Sequence, residues 1–152
     1  MYKKEENFKE KFRQALISTA KVISDDYKSL KNKKKKIDTD SFELFELENL
    51  NNINDFTKFR AESDSAALKK KFSNKEVYQK NIPNTSSRRS LYEVSEKIRY
   101  EFLGSQMLKG ISKNLKENYN NKLAQKNNNT LRSKEDVPVT DAFELYMLKK
   151  FF

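Results

Sequence analysis

Apolar residues recur at three- and four-residue steps through EENFKEKFRQALISTAKVIS, residues 5–24: Phe8, Phe12, Leu16 (with Ala15), Thr19 and Ile23. That spacing gathers them on one face and predicts an amphipathic helix. The pattern stops at residues 25–41, where KNKKKKIDTD carries four successive lysines, Lys33 to Lys36. Their mutual repulsion favours a flexible, solvated loop; the sharper alternative, a phosphate-binding patch, lacks an interleaved aromatic for base stacking. SFELFELENL, residues 41–50, has no clean apolar face and reads either as an edge strand or as an irregular segment packed on helices. Its acids, Glu43, Glu46 and Glu48, are too scattered to converge on a hard cation.

A second helix is predicted over 55–73, with Asp55 as its cap and a narrow face of Phe56, Phe59, Ser63, Ala66 or Ala67, and Leu68. Its small residues suit close packing. Residues 73–90 read as a loop with one short turn near Val77 and Tyr78, and Pro83 pushes Ile82 out of the helical region. Ser90, with Glu93 three residues on, matches a capping box opening a helix that runs to about residue 125. After a polar, flexible tract at 126–137, Thr140 caps a last helix whose Ala142, Phe143, Leu145, Tyr146, Met147 and Leu148 are apolar on more than one side. Phe151 and Phe152 follow, and two terminal phenylalanines call for a continuation or a covering partner. The expected fold is a single mainly α domain over 1–152. It has four to five helices around a Phe-rich core, with a short β-strand pair near 27–48 as an option.

The chain's two glycines, Gly104 and Gly110, both fall within the long helical stretch. Glycine there costs roughly 0.5–1 kcal/mol relative to alanine. At about 100° per residue, Leu91, Val94, Ile98, Phe102 and Ser105 share one stripe, and Leu108, Ile111, Leu115 and Tyr119 share another. The second stripe is rotated by roughly 80–100°, about one residue of phase, and the slip falls near Gly104. A kink, a π-type bulge or contact with two different partners would each produce it. Gly104 lies on the second stripe, where a missing side chain admits another backbone; Gly110 lies off it, as a surface glycine or as a contact point. Arg99 and Glu101 diverge by about 200° and cannot pair, so Arg99 is placed to meet Glu96 one turn back.

Composition narrows the chemistry. Among 152 residues there is no Cys, His or Trp, so disulfides, thiolate or imidazole metal ligation and His-dependent triads are excluded. Hydrophobic and charged residues each make up 36%, which leaves a lean core supplied largely by 11 Phe and 7 Tyr. No segment approaches the length of apolar sequence that spans a bilayer, and the first residues lack an apolar signal region, so a cytoplasmic location is expected. The net charge of +10 fits a nucleic-acid or anionic-surface partner, yet Lys- and Asn-rich, Arg-poor usage is also what an A+T-rich genome gives an ordinary subunit. A P-loop is excluded, because the glycines are six apart and Ile111 follows the second. No carboxylate pair, lysine or tyrosine stands in a defensible catalytic arrangement.

Residues 92–115, YEVSEKIRYEFLGSQMLKGISKNL, resemble the N-terminal region of the T subunit of aerobic cobaltochelatase. That family carries an acidic–x–x–x–Arg–x–Glu–x–(Leu/Ile)–Gly helix, then a methionine, a second glycine and an Asn-Leu pair. Arg99, Glu101, Leu103, Gly104, Gly110, Asn114 and Leu115 match, with Met107 one place early. FRAESDSAALKKKFS is similar to a second family helix through Arg60, Asp64 and Leu68, with Ala61 in place of the usual Gly. The opening and closing helices are similar to those that bound the family region. The departures lie near 27–48, where a lysine run and acidic-aromatic text replace a strand-like segment. A full T subunit continues into a von Willebrand A-type domain with an Asp-x-Ser-x-Ser metal loop, which these residues lack, so a fragment or a split subunit is expected.

The resemblance implies a non-catalytic docking part of an ATP-dependent complex that inserts Co2+ into hydrogenobyrinic acid a,c-diamide in aerobic cobalamin biosynthesis. The implied partners are an AAA+ ATPase subunit and a large corrin-binding subunit, with a homo-oligomer left open. ATP, Mg2+ and Co2+ belong to the wider complex, and no cofactor is expected on this chain. Arg60, Asp64, Arg99, Glu101, Gly104, Gly110, Asn114 and Leu115 are the implied structural or interface positions. The competing reading is a basic helical nucleic-acid-binding protein.

Overall fold

A computed structural model describes residues 2–25, 53–128 and 137–152. Among these residues all regular structure is helical: α1 Tyr2–Ile23, α2 Ile53–Phe72, α3 Lys75–Asn81, α4 Ser86–Met107, α5 Lys109–Asn128 and α6 Val139–Phe151. The mainly α expectation holds. The optional strand pair and the lysine run lie outside the described residues. No described helix is long and apolar enough to cross a membrane. The chain divides into two compact units, Met1–Lys71 and Phe72–Phe152.

In the first unit, α1 buries Leu16, Ala20 and Ile23. The apolar stripe runs slightly to one side of the predicted line, through Ala20. Ala15 and Thr19 are exposed, and the Thr19 hydroxyl donates to the Ala15 carbonyl at 2.9 Å. Phe8 and Phe12 set their rings edge-on to Phe56 of α2, with centroids 5.7 and 5.0 Å apart. On α2 the buried positions are Ala61, Ser63, Asp64, Ala67 and Leu68, the small-residue face expected, with Ala67 and not Ala66 turned inward. Asp55 lies inside the first turn and is not the cap. The chain leaves α1 through Asp25, whose φ of 58° is the left-handed conformation that closes many helices and that Asp tolerates better than most residues. Lys71, in the last turn of α2, pairs with the Asp25 carboxylate at 2.5 Å.

The second unit opens with two elements that the loop assigned to 73–90 conceals. Asn74 caps α3, its Oδ1 accepting from the Glu76 and Val77 amides at 2.9 and 3.1 Å. Ile82, ahead of Pro83, is extended as expected (φ −65°, ψ 127°). Helix α4 then starts at Ser86, after an extended Thr85, and not at Ser90. Ser90 is inside the helix, with its hydroxyl donating to the Ser86 carbonyl at 3.2 Å, and Glu93 accepts from the Tyr78 hydroxyl at 3.5 Å. The capping-box reading fails because a Ser inside a helix can satisfy its hydroxyl one turn back.

The predicted phase slip is real but sits four residues beyond Gly104. Leu108 alone is extended (φ −136°, ψ 119°), and it divides the long helix into α4 and α5. Its N–H donates to the Gly104 carbonyl and its carbonyl accepts from the Ser112 amide, both at 3.2 Å, so the break leaves neither group unpaired. Leu108 is therefore exposed, whereas Ile111, Leu115 and Tyr119 are buried as expected. Helix α4 packs against both α5 and α6. Glu101 and Lys97 of α4 both reach Tyr119 of α5 across the single-residue joint at Leu108, so α5 folds back antiparallel to α4; Lys97 meets Glu144 and Phe102 meets Phe151, so α6 runs parallel to it. The result is an up-down-up group of three helices.

Helix α6 starts at Val139 after Pro138, whose carbonyl accepts from the Asp141 and Ala142 amides at 2.9 and 3.0 Å; Thr140 lies within the helix and does not cap it. The terminal phenylalanines are partly covered from within the unit. Phe102 lies 5.2 Å from Phe151 and 6.4 Å from Phe152, and Tyr119 lies 5.9 Å from Phe152, centroid to centroid.

Two substitutions at Asp25 separate its backbone role from its charge. Asp25→Asn keeps a residue that accepts φ 58° and removes an exposed ion pair, for a loss of at most about 1 kcal/mol. Asp25→Val loses a further ~1–2 kcal/mol, because a β-branched side chain resists the left-handed region. Urea denaturation of both variants checks the difference, and equal losses would contradict it.

Candidate functional site

The polar centre of the second unit is built where α4 and α5 cross. On α4, Ile98, Glu101 and Gly104 follow one another at three-residue steps and all are buried. A carboxylate on such a face has to be given donors. The Tyr119 hydroxyl, from the buried face of α5, donates to it. Burial, and then the Glu101 charge, push the Tyr119 phenol far above its ordinary pKa, so it holds its proton and remains a donor.

Charged groups surround this pair in order. Lys97 extends its ammonium to within 5.5 Å of the Tyr119 ring centroid and pairs with Glu144 of α6 at 3.1 Å. Lys122 lies 5.9 Å from the same ring, and Phe152 covers another side. The cavity beside Tyr119, bounded by Lys122, Glu144 and Leu148, is about 30 Å³. That is the space of one water molecule, so this cluster joins three helices and has no room for an organic substrate.

Two further features border α4. Arg99 places Nε and Nη2 each 2.9 Å from the Glu96 carboxylate, a two-pronged pair, and Nη2 also donates to the Phe72 carbonyl at 2.9 Å. The expected Arg99–Glu96 contact is thus present, and the guanidinium also satisfies a helix C-terminal carbonyl. On the side facing α6, a groove of about 220 Å³ runs along Ser95, Arg99 and Leu103 of α4 and Met147 and Phe151 of α6, over a floor of Ile98 and Phe102. It is smaller than the usual small-molecule site and nearly all apolar. No group of three or more His, Cys, Asp or Glu able to hold a metal occurs among the described residues.

The family model of cobalamin biosynthesis protein CobT matches residues 6–151. The chain belongs to the CobT family. The resemblance carried by the glycine-centred helix therefore extends over nearly the whole chain, and CobT is a component of cobaltochelatase. No solved structure matches the chain.

The positions singled out by likeness to the family take different places. Glu101, Gly104 and Leu115 are buried in the α4–α5 region, and Asn114, which has a polar or charged partner, is half-buried beside Leu115. Arg99 forms its fork at the edge. Asp64 is buried and Arg60 exposed on α2, in the other unit. Gly110 is exposed, and a Cβ built there meets nothing within 4 Å, so no close approach within this chain requires a glycine at that position. Tyr119, Lys97 and Glu144 were not singled out in sequence as site residues. Tyr119 is recognisable only as an apolar stripe member; the signal was Glu101, an acid in phase with Ile98 and therefore in need of a partner.

Tyr119→Phe leaves the buried Glu101 short of a donor and should lower stability by about 1–3 kcal/mol. The double variant Tyr119→Phe/Glu101→Leu should lose less than the sum of the single changes, as read from a denaturation cycle. Because folding raises the phenol's pKa, its contribution is full below about pH 10 and fades as pH rises beyond it. The parent should therefore lose more stability than Tyr119→Phe between about pH 8 and pH 11. Gly110→Ala should stabilise the protein by at most about 0.5–1 kcal/mol, read as a higher melting temperature, without disturbing the fold.

Proposed function

We propose that this chain is a non-catalytic docking part of an ATP-dependent cobaltochelatase, joining the ATPase subunit to the large subunit that holds the corrin ring. The observation that carries this reading is the family match across residues 6–151. Two structural features support it. The polar groups at the centre of the second unit are engaged with each other, as in a scaffold: buried Glu101 with Tyr119, and half-buried Lys97 with Glu144. Large apolar side chains, among them Leu103, Met107, Leu108 and Phe151, remain exposed at the ends of α4 and α6. Such a patch on a charged protein is the kind of surface that partners cover. ATP, Mg2+ and Co2+ are used by the other subunits in this reading, and the corrin never rests on this chain alone.

The test is co-purification of the tagged chain with the ATPase subunit and with the large subunit of the same organism, with and without ATP and Mg2+. Association with at least one subunit is expected, together with no metal insertion by the chain alone. Failure to associate with either would overturn the proposal. Binding to DNA that weakens steeply as salt rises, in the absence of any subunit association, would favour the nucleic-acid reading instead.

A further inference from the structure

Resting on that docking reading, we infer that the groove between α4 and α6 receives an acidic amphipathic helix of a partner subunit. The groove has apolar walls, with Leu103 on one side and Met147 and Phe151 on the other, over Ile98 and Phe102. Leu103 and Phe151 are exposed, as is Met107, one turn beyond Leu103 on α4. At about 220 Å³ it takes two or three aliphatic side chains and not a macrocycle. A row of apolar side chains one turn apart on a guest helix matches a groove walled by Leu103 and, four residues apart on one helix, Met147 and Phe151.

Charge decides which helix. Helices α4 and α6 are parallel, so their C-terminal ends lie at the same end of the groove. At that end Lys109 follows the joint at Leu108, and from 145 to 152 α6 carries Lys149 and Lys150 and no acid. All three lysines are exposed. Glu101, the acid next to this region, is buried and accepts from Tyr119. Glu96 is held by Arg99 and Glu144 by Lys97. This end of the groove therefore offers apolar contact framed by positive charge that carboxylates of a guest would answer. A second copy would set lysine against lysine. A nucleic acid would answer the charge but has no aliphatic side chains for the groove.

The experiment places the photo-crosslinker p-benzoylphenylalanine at position 103, at 151, or at exposed Val77 on α3 as a control. Each full chain is mixed with the purified ATPase and large subunits and illuminated. Crosslinks from 103 and 151, but not from 77, are expected to a partner segment with apolar residues one turn apart and flanking Asp or Glu. Leu103→Asp and, separately, Lys149→Glu/Lys150→Glu should each weaken association by about tenfold, and the lysine effect should shrink as salt rises. Both changes are at exposed positions, and an unchanged helical circular dichroism signal verifies folding. Should a subunit bind while position 103 stays silent and both variants bind normally, the groove assignment falls and docking stands. Crosslinking to a second copy of this chain, to a basic segment, or displacement of the partner by a single-stranded oligonucleotide would also overturn it. Failure of both subunits to bind would remove the docking reading and this inference together.

Discussion

A carboxylate inside a small helical core constrains everything near it, and Glu101 is such a group. Left without donors it would oppose folding by several kcal/mol. Tyr119 supplies one, and to do so α5 must present its buried stripe to α4 at a fixed height and rotation. That alignment brings the Tyr119 ring to Lys97, which is then positioned to pair with Glu144 on α6. One buried hydrogen bond thus sets the register of two helix pairs. Hydrophobic contacts between Leu, Ile and Phe would tolerate small slips along the helix axis; a phenol and a carboxylate do not.

The outer ends of the same helices are bound less specifically. Phe102, Phe151 and Phe152 stack in tilted and edge-on arrangements, and Met147 completes the wall. Such contacts contribute through buried area and adapt in shape. The interior of the unit is therefore directional and its margin adaptable.

Most helices were legible because their cause is local. The stripe of α1, the small face of α2 and the Ile111–Leu115–Tyr119 line of α5 follow from spacing alone, displaced by no more than a residue. Helix ends were less legible. Ser90, Thr140 and Asp55 have the chemistry of caps but lie inside their helices, while Asn74, which does cap, stood within a stretch assigned to loop. A hydroxyl or carboxylate is equally at home one turn inside, and what selects between the two is tertiary packing that no short window contains. The break at Leu108 was legible as a phase slip but misplaced, because glycine is only one way to interrupt a helix and here an ordinary residue in extended conformation does it. Of the site, the Arg99–Glu96 fork was readable from its three-residue spacing. The Glu101–Tyr119 pair was not, since eighteen positions separate them and only the folded α4–α5 hairpin brings them together.

The joint at Leu108 has a geometric corollary. Two long helices meet through a single non-helical residue, and both its backbone groups are already committed to the turns on either side. Such a hinge has no slack. One residue added in α5 ahead of Ile111 would swing Ile111, Leu115 and Tyr119 around the axis by about 100°, turning the phenol away from its carboxylate. The α4–α5 corner is thus the place where a change in residue count, more than a change of residue type, would undo the packing.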